Sequence, residues 1–422
     1  MQSLKISNGQ RHLCHADGTP FFWLGDTAWE LFHKLTYEEA AVYAKNRAEL
    51  GFNVSQICIL AECDGLRGGN AYGRKPLLQN ASGDFDPAMP DTDGEHDYWS
   101  HVDRVIGLLG AYGIYAAVLP TWGDKFNVRH GIGPEIFDAG NARAYGKWVA
   151  ERLSHHDNII WVMGGDRDMD LPRHFDIVRA MAKGVRAGDR KPHLMTLHPA
   201  GGISSSVAFH HDDWLDFNMI QTGHGTSQYP MGLLEHDYAL CPTKPFVDGE
   251  PRYEAHPINF NVANGYFSTF DVRMGCYLAL FGGGFGVTYG HHCIWQMNTE
   301  PLPYHPFTWN ESLDAPAAKQ LIHLKNLMLE HDFQHLAPAP NVFSNGSKGY
   351  ALADEQRILA YVIDGGNISL NTTGIKKERY DVALFEPVSG EKRMFGREKN
   401  MGYFDMPVKG LDKVIILEGV DL

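Results

Sequence analysis

Eight short apolar runs, each followed by a loop or a stretch of helical period, constrain this chain more than any other feature. They fall at 21–25, 52–60, 114–119, 159–163, 193–197, 217–221, 245–248 and 286–289. Strand-length runs alternating with helices argue for a parallel sheet whose crossover helices cover it. Eight of them favour a TIM-type (β/α)8 barrel over a doubly wound sheet, which usually has fewer strands.

The helical stretches carry their own punctuation. Thr36, with Glu39 three residues on, forms a capping-box sequence that opens a helix running to Leu50 and stopping at Gly51. Segments 98–112, 141–155, 172–187 and 266–280 have the same period. Two insertions rich in Gly, Asp, Pro and His, 62–97 and 198–216, follow strands and so fall on the catalytic face of such a barrel. Past Leu336 the texture changes. Ala337-Pro338-Ala339-Pro340 reads as a stiff linker, and short runs at 349–353, 357–363, 367–370, 380–385 and 413–417 read as an all-β sandwich. The expected division is a barrel over 1–335 and a β-sandwich over 336–422.

Composition excludes several partners. With 37 Lys and Arg against 51 Asp and Glu, the formal charge of -14 repels polyphosphate, so nucleic acid is not expected as a partner. No apolar run is long enough to insert in a membrane. The first residues enter a strand with no basic-then-apolar leader; a trimmed export signal would make the compartment periplasmic or secreted. The six cysteines show no CxxC or zinc spacing. Cys58, Cys241, Cys276 and Cys293 sit in apolar or strand-adjacent sequence typical of buried free thiols.

Two of the runs end in an acid: 159–163 leads through Gly164-Gly165 to Asp166, and 245–248 through Gly249 to Glu250. If both are strands of one parallel barrel, the carboxylates converge at its mouth. Two facing acids are the minimal machinery for glycosidic cleavage, one attacking the anomeric carbon and one protonating the departing oxygen. Each acid also has a structural role open to it, Asp166 as a helix cap or partner of Arg167, Glu250 as an ion-pair partner of Arg252. The neighbours suit a sugar pocket: Asp26 and Trp29 after the first strand, Asn53 and Gln56 in the second, Trp122 after the third, and His198, His224, His291 and Trp295 after the fifth, sixth and eighth. Nine Trp, 18 Tyr and 22 His are compatible with stacking on a polyol.

A metal-dependent hydrolase is a competing class, because His210-His211-Asp212-Asp213 and His291-His292-Cys293 contain ligand types. Adjacent strand residues point to opposite faces, however, and rarely chelate one ion. No metal or cofactor is expected, since HExxH, P-loop, GxSxG and GxGxxG patterns are all missing. A non-catalytic carbohydrate- or matrix-binding protein on the same scaffold is the other competitor.

The segment Trp23-Leu24-Gly25-Asp26-Thr27-Ala28-Trp29-Glu30-Leu31-Phe32, with Leu35-Thr36, Asn46-Arg47 and Gly51-Phe52-Asn53, resembles the opening of the apiosidase-like domain. That domain was once numbered 4038 among domains of unknown function and is associated with glycoside hydrolase family 140. Gly249-Glu250-Pro251, Tyr253-Glu254, Thr288-Tyr289-Gly290-His291 and Ile294-Trp295 match its later motifs. The resemblance implies a TIM barrel, Glu250 as nucleophile, Asp166 as acid/base, and exo-action on plant polysaccharide side chains, with apiose from pectin the leading candidate. The resemblance places that barrel in the same broad clan as many retaining β-glycosidases, many of which carry Asn-Glu at the end of the fourth strand where this chain has Gly165-Asp166. The tail, with 385–391, resembles a β module labelled collagen-binding. Nothing in an acidic sandwich specifies collagen, and packing on the barrel is the expected role.

Overall fold

The computed structural model describes residues 1–422 except 95, 130, 226–228, 303 and 422. Eight parallel strands lie in the expected runs: β1 (Trp23–Thr27), β2 (Val54–Leu60), β3 (Tyr115–Thr121), β4 (Ile159–Gly164), β5 (Met195–His198), β6 (Asn218–Gln221), β7 (Phe246–Asp248) and β8 (Gly286–Tyr289). Seven longer helices accompany them: α1 (Tyr37–Glu49), α2 (Tyr98–Ala111), α3 (Ala139–Leu153), α4 (Pro172–Gly188), α5 (Met231–Ala239), α6 (Thr269–Phe281) and α7 (Pro316–Glu330). The Thr36 capping box is present at α1.

The ladder runs β5-β4-β3-β2-β1-β8-β7-β6 and continues past β6 to a short ninth strand. The described strands thus form a curled nine-stranded sheet of the expected α/β type, with no ladder joining β5 to β6. The insertion after β5 explains the opening. Its strand Ile203–Ser204 pairs antiparallel with Ile220 and Gln221 of β6 and occupies that edge. Across the gap the strands are tied near their starts, by Asp216 N–H to Met195 O at 2.8 Å, Met195 N–H to Asp216 Oδ2 at 2.7 Å and Thr196 Oγ1 to Phe217 O at 2.7 Å.

Alternation along each strand sorts side chains into two layers. Trp23, Val54, Cys58, Ala117, Leu119, Ile160, Val162, Met219 and Val247 share the cluster enclosed by the sheet. Ile57, Ile59, Ala116, Val118, Trp161, Met163, Met195 and Leu197 belong to the layer under the helices. A residue's parity along its strand therefore decides whether it reaches the inside of the sheet.

Asp26 has the parity of Leu24 and points outward. Its Oδ2 accepts from Tyr43 Oη and Arg47 Nε of α1, both at 2.7 Å, and all three groups are buried. Arg47 also donates to Leu313 O. Removing one partner strands a buried charge, so Arg47→Met should lower unfolding free energy by about 3–5 kcal/mol. Urea denaturation measures this, and the double variant Asp26→Asn/Arg47→Met should recover part of the loss.

From Ala337 the chain is all-β. One sheet orders Ala337–Pro338, Tyr350–Ala353, Arg357–Val362, Lys413–Val420, Arg379–Phe385 and Lys392–Lys399; the other orders Phe343–Ser344, Gly366–Asn371 and Tyr403–Val408. Ile358, Val382 and Ile415 from the first meet Ile368, Leu370 and Met406 from the second in one core. Ala337 and Pro338 pair with Ala353 and Leu352, so the expected linker is an edge strand. This module is fixed to α6 and α7. Tyr361 stacks on Tyr277 at 4.8 Å between centroids, Asp412 pairs with Arg273, and Leu352 and Leu359 join the core that holds Leu321 and Leu324. All six cysteines are free thiols, and Cys241 is exposed rather than buried because it lies in the turn after α5.

Candidate active site

The two strand-end acids do meet. Asp166 and Glu250 line one cavity of 270 Å3 together with Trp29, Glu62, Trp122, His224, Tyr253, His256, Phe260 and Trp295.

Asp166 is placed by a backbone that only glycine could supply. Gly164 and Gly165 have φ of 83° and 122°, and a Cβ at Gly165 would lie 2.7 Å from Gly123 N. Asp166 follows at φ 51°, a left-handed conformation uncommon for a side chain other than Asn or Asp and held here by its surroundings. Arg167 secures it, with Nη1 2.6 Å from Asp166 O and 3.2 Å from Oδ2. Burial and the nearby charge of Glu250 raise the Asp166 carboxyl above the usual range, against the pull of His198, Arg167 and Gln221.

Glu250 sits between two imidazoles. His198 Nε2 lies 3.0 Å from its Oε2 and His224 Nε2 2.9 Å from its Oε1. The Asp166 backbone N–H donates to His198 Nδ1 at 3.3 Å, which leaves the His198 ring proton on Nε2, facing Glu250. Burial favours the neutral acid, but these contacts outweigh it and hold Glu250 well below the carboxylate range. The site therefore contains one carboxyl kept ionised and one inclined to keep its proton, the division of labour that acid/base chemistry requires. Behind Glu250, Gln56 Nε2 donates to Gly249 O at 2.6 Å.

Aromatic walls complete the cavity. Trp29 packs against Trp122 at 5.1 Å and edge-on to His198 at 5.1 Å. The indole N–H groups of Trp122 and Trp295 are buried with no acceptor among the described residues. His256 stacks on His224 at 4.4 Å, and Phe260, 74% exposed, stands at the rim. Burial and two neighbouring histidines push His256 down to about 2, so it stays neutral.

Of the expected site residues, Asp166, Glu250, Trp29, Trp122, His198, His224 and Trp295 come together around this cavity, with Gln56 directly beneath. Three do not. Asp26 is the buried partner of Arg47 described above. Asn53 precedes β2 with outward parity, at the end of the sheet opposite the acids, and its amide clamps Phe22 O and Leu24 N. His291 caps a short helix by accepting from Cys293 N–H, and faces His305 in a separate cavity of 580 Å3; burial pushes it down to about 3.

Among the lining residues outside the sequence expectation are Glu62, Tyr253, His256 and Phe260. Glu62 could have been found, because it stands two residues past the apolar run 52–60, just as the two chosen acids follow theirs. The Tyr253 phenol is pushed well up by burial and by Glu250, so it remains a donor.

The histidine clusters weighed as metal ligands disperse. His210 bonds Pro242 O, Asp212 pairs with Arg179 and Trp214, and Cys293 contacts His305 and Phe307 O. Among the described residues the trio with ligand atoms within 4.8 Å of one another is Asp103, His155 and His156. It joins α2 to the turn before β4, on the face opposite the acids.

The family profile "Apiosidase-like, catalytic domain" matches residues 7–335, and "Putative collagen-binding domain of a collagenase" matches 341–418. A solved glycoside hydrolase is 29% identical over 99% of this chain and 97% of its own, with a TM-score of 0.89. A family 5 glycoside hydrolase from Bacteroides vulgatus is 27% identical over 99% and 92%, also at 0.89. The endo-1,4-β-mannanase of Rhizomucor miehei, 11% identical over 77% of this chain and 99% of its own at a TM-score of 0.54, shares the fold alone. No curated protein matches the chain. No helix among the described residues is long and apolar enough to cross a membrane.

Proposed function

The chain belongs to the apiosidase-like family of glycoside hydrolases, and from that premise we propose that it is a retaining, exo-acting glycosidase that removes a neutral terminal sugar, apiose being the leading candidate, from plant polysaccharide side chains such as those of pectin. We read 1–335 as the catalytic unit, a (β/α)8 barrel with one opened seam, and 336–422 as a β-sandwich buttressing it. One observation carries the reading: Glu250, ionised between two imidazoles, and Asp166, with its carboxyl raised, face the same small cavity.

In the proposed reaction Glu250 attacks the anomeric carbon as the bond to the leaving oxygen breaks, and the proton of Asp166 goes to that oxygen. Water then attacks the glycosyl-enzyme, Asp166 takes its proton, and Glu250 is released. His198 and His224 orient the nucleophile and keep it charged. Trp122 and Trp295 offer N–H donors to hydroxyls, and Trp29 or Phe260 a face for stacking.

The cavity's size favours exo-action. At 270 Å3 it is near the ~300 Å3 lower end of small-molecule pockets, room for one or two rings rather than a polymer cleft. Its wall also selects for charge. Three carboxyl groups line it while Arg167 is sealed at 1% exposure, which disfavours a uronate in the same space.

The test is incubation with pectic side-chain oligosaccharides and a panel of 4-nitrophenyl glycosides, with products followed by chromatography. One neutral monosaccharide released from the non-reducing end is the expected product. Ladders of internal fragments, or a released uronic acid, would refute the exo or the neutral-sugar assignment respectively.

A further inference from the structure

The cavity holds a third carboxyl group that the two-acid mechanism leaves unused. Glu62 follows β2, lines the same cavity as Asp166 and Glu250, and its side chain is 24% exposed. Its Oε1 lies 3.6 Å from Arg167 Nη2, and Arg167 Nη1 is 3.2 Å from Asp166 Oδ2. One guanidinium thus touches both acids, with its Nε on Asn127 O.

We infer that Glu62 is a positioning residue for the proposed glycosidase reaction, paired through Arg167 with Asp166 so that the two carboxyls hold one proton in common and Asp166 can present it to the leaving oxygen. The inference rests on the reading of Asp166 as the acid.

The electrostatics support it. Glu62 also faces Glu30 and Asp124; Asp124 is paired with Lys125 at 2.6 Å and Glu30 with His33 at 2.9 Å. Asp166 faces Glu250, His198, Arg167 and Gln221. Burial, opposed by Arg167 and reinforced by the surrounding acids, pushes Glu62 up to about 8. Two such groups lose their protons in steps that belong to the pair. When Glu62 carries the negative charge, it engages Arg167 and relieves Asp166 of the cation that would acidify it. The microstate with the proton on Asp166 is therefore kept within reach at neutral pH.

The sign of the test follows. In Glu62→Gln the second site is gone and no Glu62 charge draws Arg167 away from Asp166, so Asp166 should lose its proton at lower pH. The alkaline limb of kcat/KM, measured on whichever 4-nitrophenyl or pectic glycoside the wild type cleaves, should move down by about one pH unit or more. Glu62→Asp should restore part of the shift. In parallel, 13C-carboxyl-labelled Asp and Glu would be followed by NMR in the full chain. A Glu resonance titrating in the alkaline range should vanish in Glu62→Gln while the Asp166 resonance titrates lower. An unchanged alkaline limb and an unchanged Asp166 titration in Glu62→Gln would overturn the pairing. If the wild type cleaves no glycoside, the functional reading fails and the NMR titration still decides whether the pair exists.

Discussion

Glu250→Gln is expected to lower kcat/KM by on the order of 10⁴-fold or more, the scale seen when a covalent nucleophile is removed, with the folded state retained. The amide cannot form the glycosyl ester. It can still fill the space, since Gln offers one acceptor in place of two. The donor end of the amide then faces an imidazole N–H, and one ring must change tautomer. His224 can do so because its Nδ1 has no partner among the described residues, whereas His198 Nδ1 accepts from the Asp166 N–H. A stability cost of about 1–3 kcal/mol is the most this rearrangement should bring, and thermal melts would register it. Stability should also lose part of its acid dependence. The folded-state carboxyl of Glu250 is depressed, so its contribution is fully present above the unfolded value of about 4.3 and is lost as pH falls below it. Single His198→Ala or His224→Ala variants test the cause of the depression. Each removes a donor, raises the Glu250 carboxyl, and should move the acid limb of kcat/KM to higher pH. Retained turnover in Glu250→Gln would reject the nucleophile assignment.

What could be read from the sequence followed burial, and what could not followed parity and long-range pairing. All eight parallel strands overlap the apolar runs, because a strand covered on both faces is apolar along most of its length. That same uniformity hides which face each residue uses. Gln56 and Asn53 lie three positions apart in one run, yet Gln56 shares the inward parity of Val54 and Cys58 while Asn53 faces the other way. Asp26 was misjudged for the same reason, since its outward parity becomes evident only when Leu24 and Trp23 are seen in different layers. The open seam has a different origin. It depends on a two-residue strand inside an insertion, and nothing local in Ile203-Ser204 specifies its partner. In the tail, the strands at Lys392–Lys399 and Tyr403–Val408 were missed because the first is exposed almost throughout and the second only partly buried, and neither forms an apolar run.

Asp166→Asn separates the roles of the two acids by making the loss depend on the leaving group. An asparagine cannot give up a proton. For an alkyl or sugar leaving group, turnover should fall by about 10²–10⁴-fold, the usual worth of general acid catalysis. A 4-nitrophenyl glycoside departs as a weakly basic phenolate, so its first step should lose far less. The second step then becomes limiting, because no base remains to activate water and the glycosyl-enzyme accumulates. Azide needs no such base. Added azide should restore turnover of the activated glycoside and yield a glycosyl azide with the anomeric configuration of the substrate, the outcome of two displacements at Glu250. The pH profile carries an independent signature. Burial and Glu250 raise the Asp166 carboxyl, so the wild type keeps its acid protonated to higher pH than an ordinary aspartate would, and activity falls as that proton is lost. Asp166→Asn has no such proton to lose, and its alkaline limb should flatten. A loss equal for activated and unactivated glycosides would remove Asp166 from the acid/base role and leave it as the partner of Arg167, and an azide product of inverted configuration would mark a single displacement and reject the retaining mechanism.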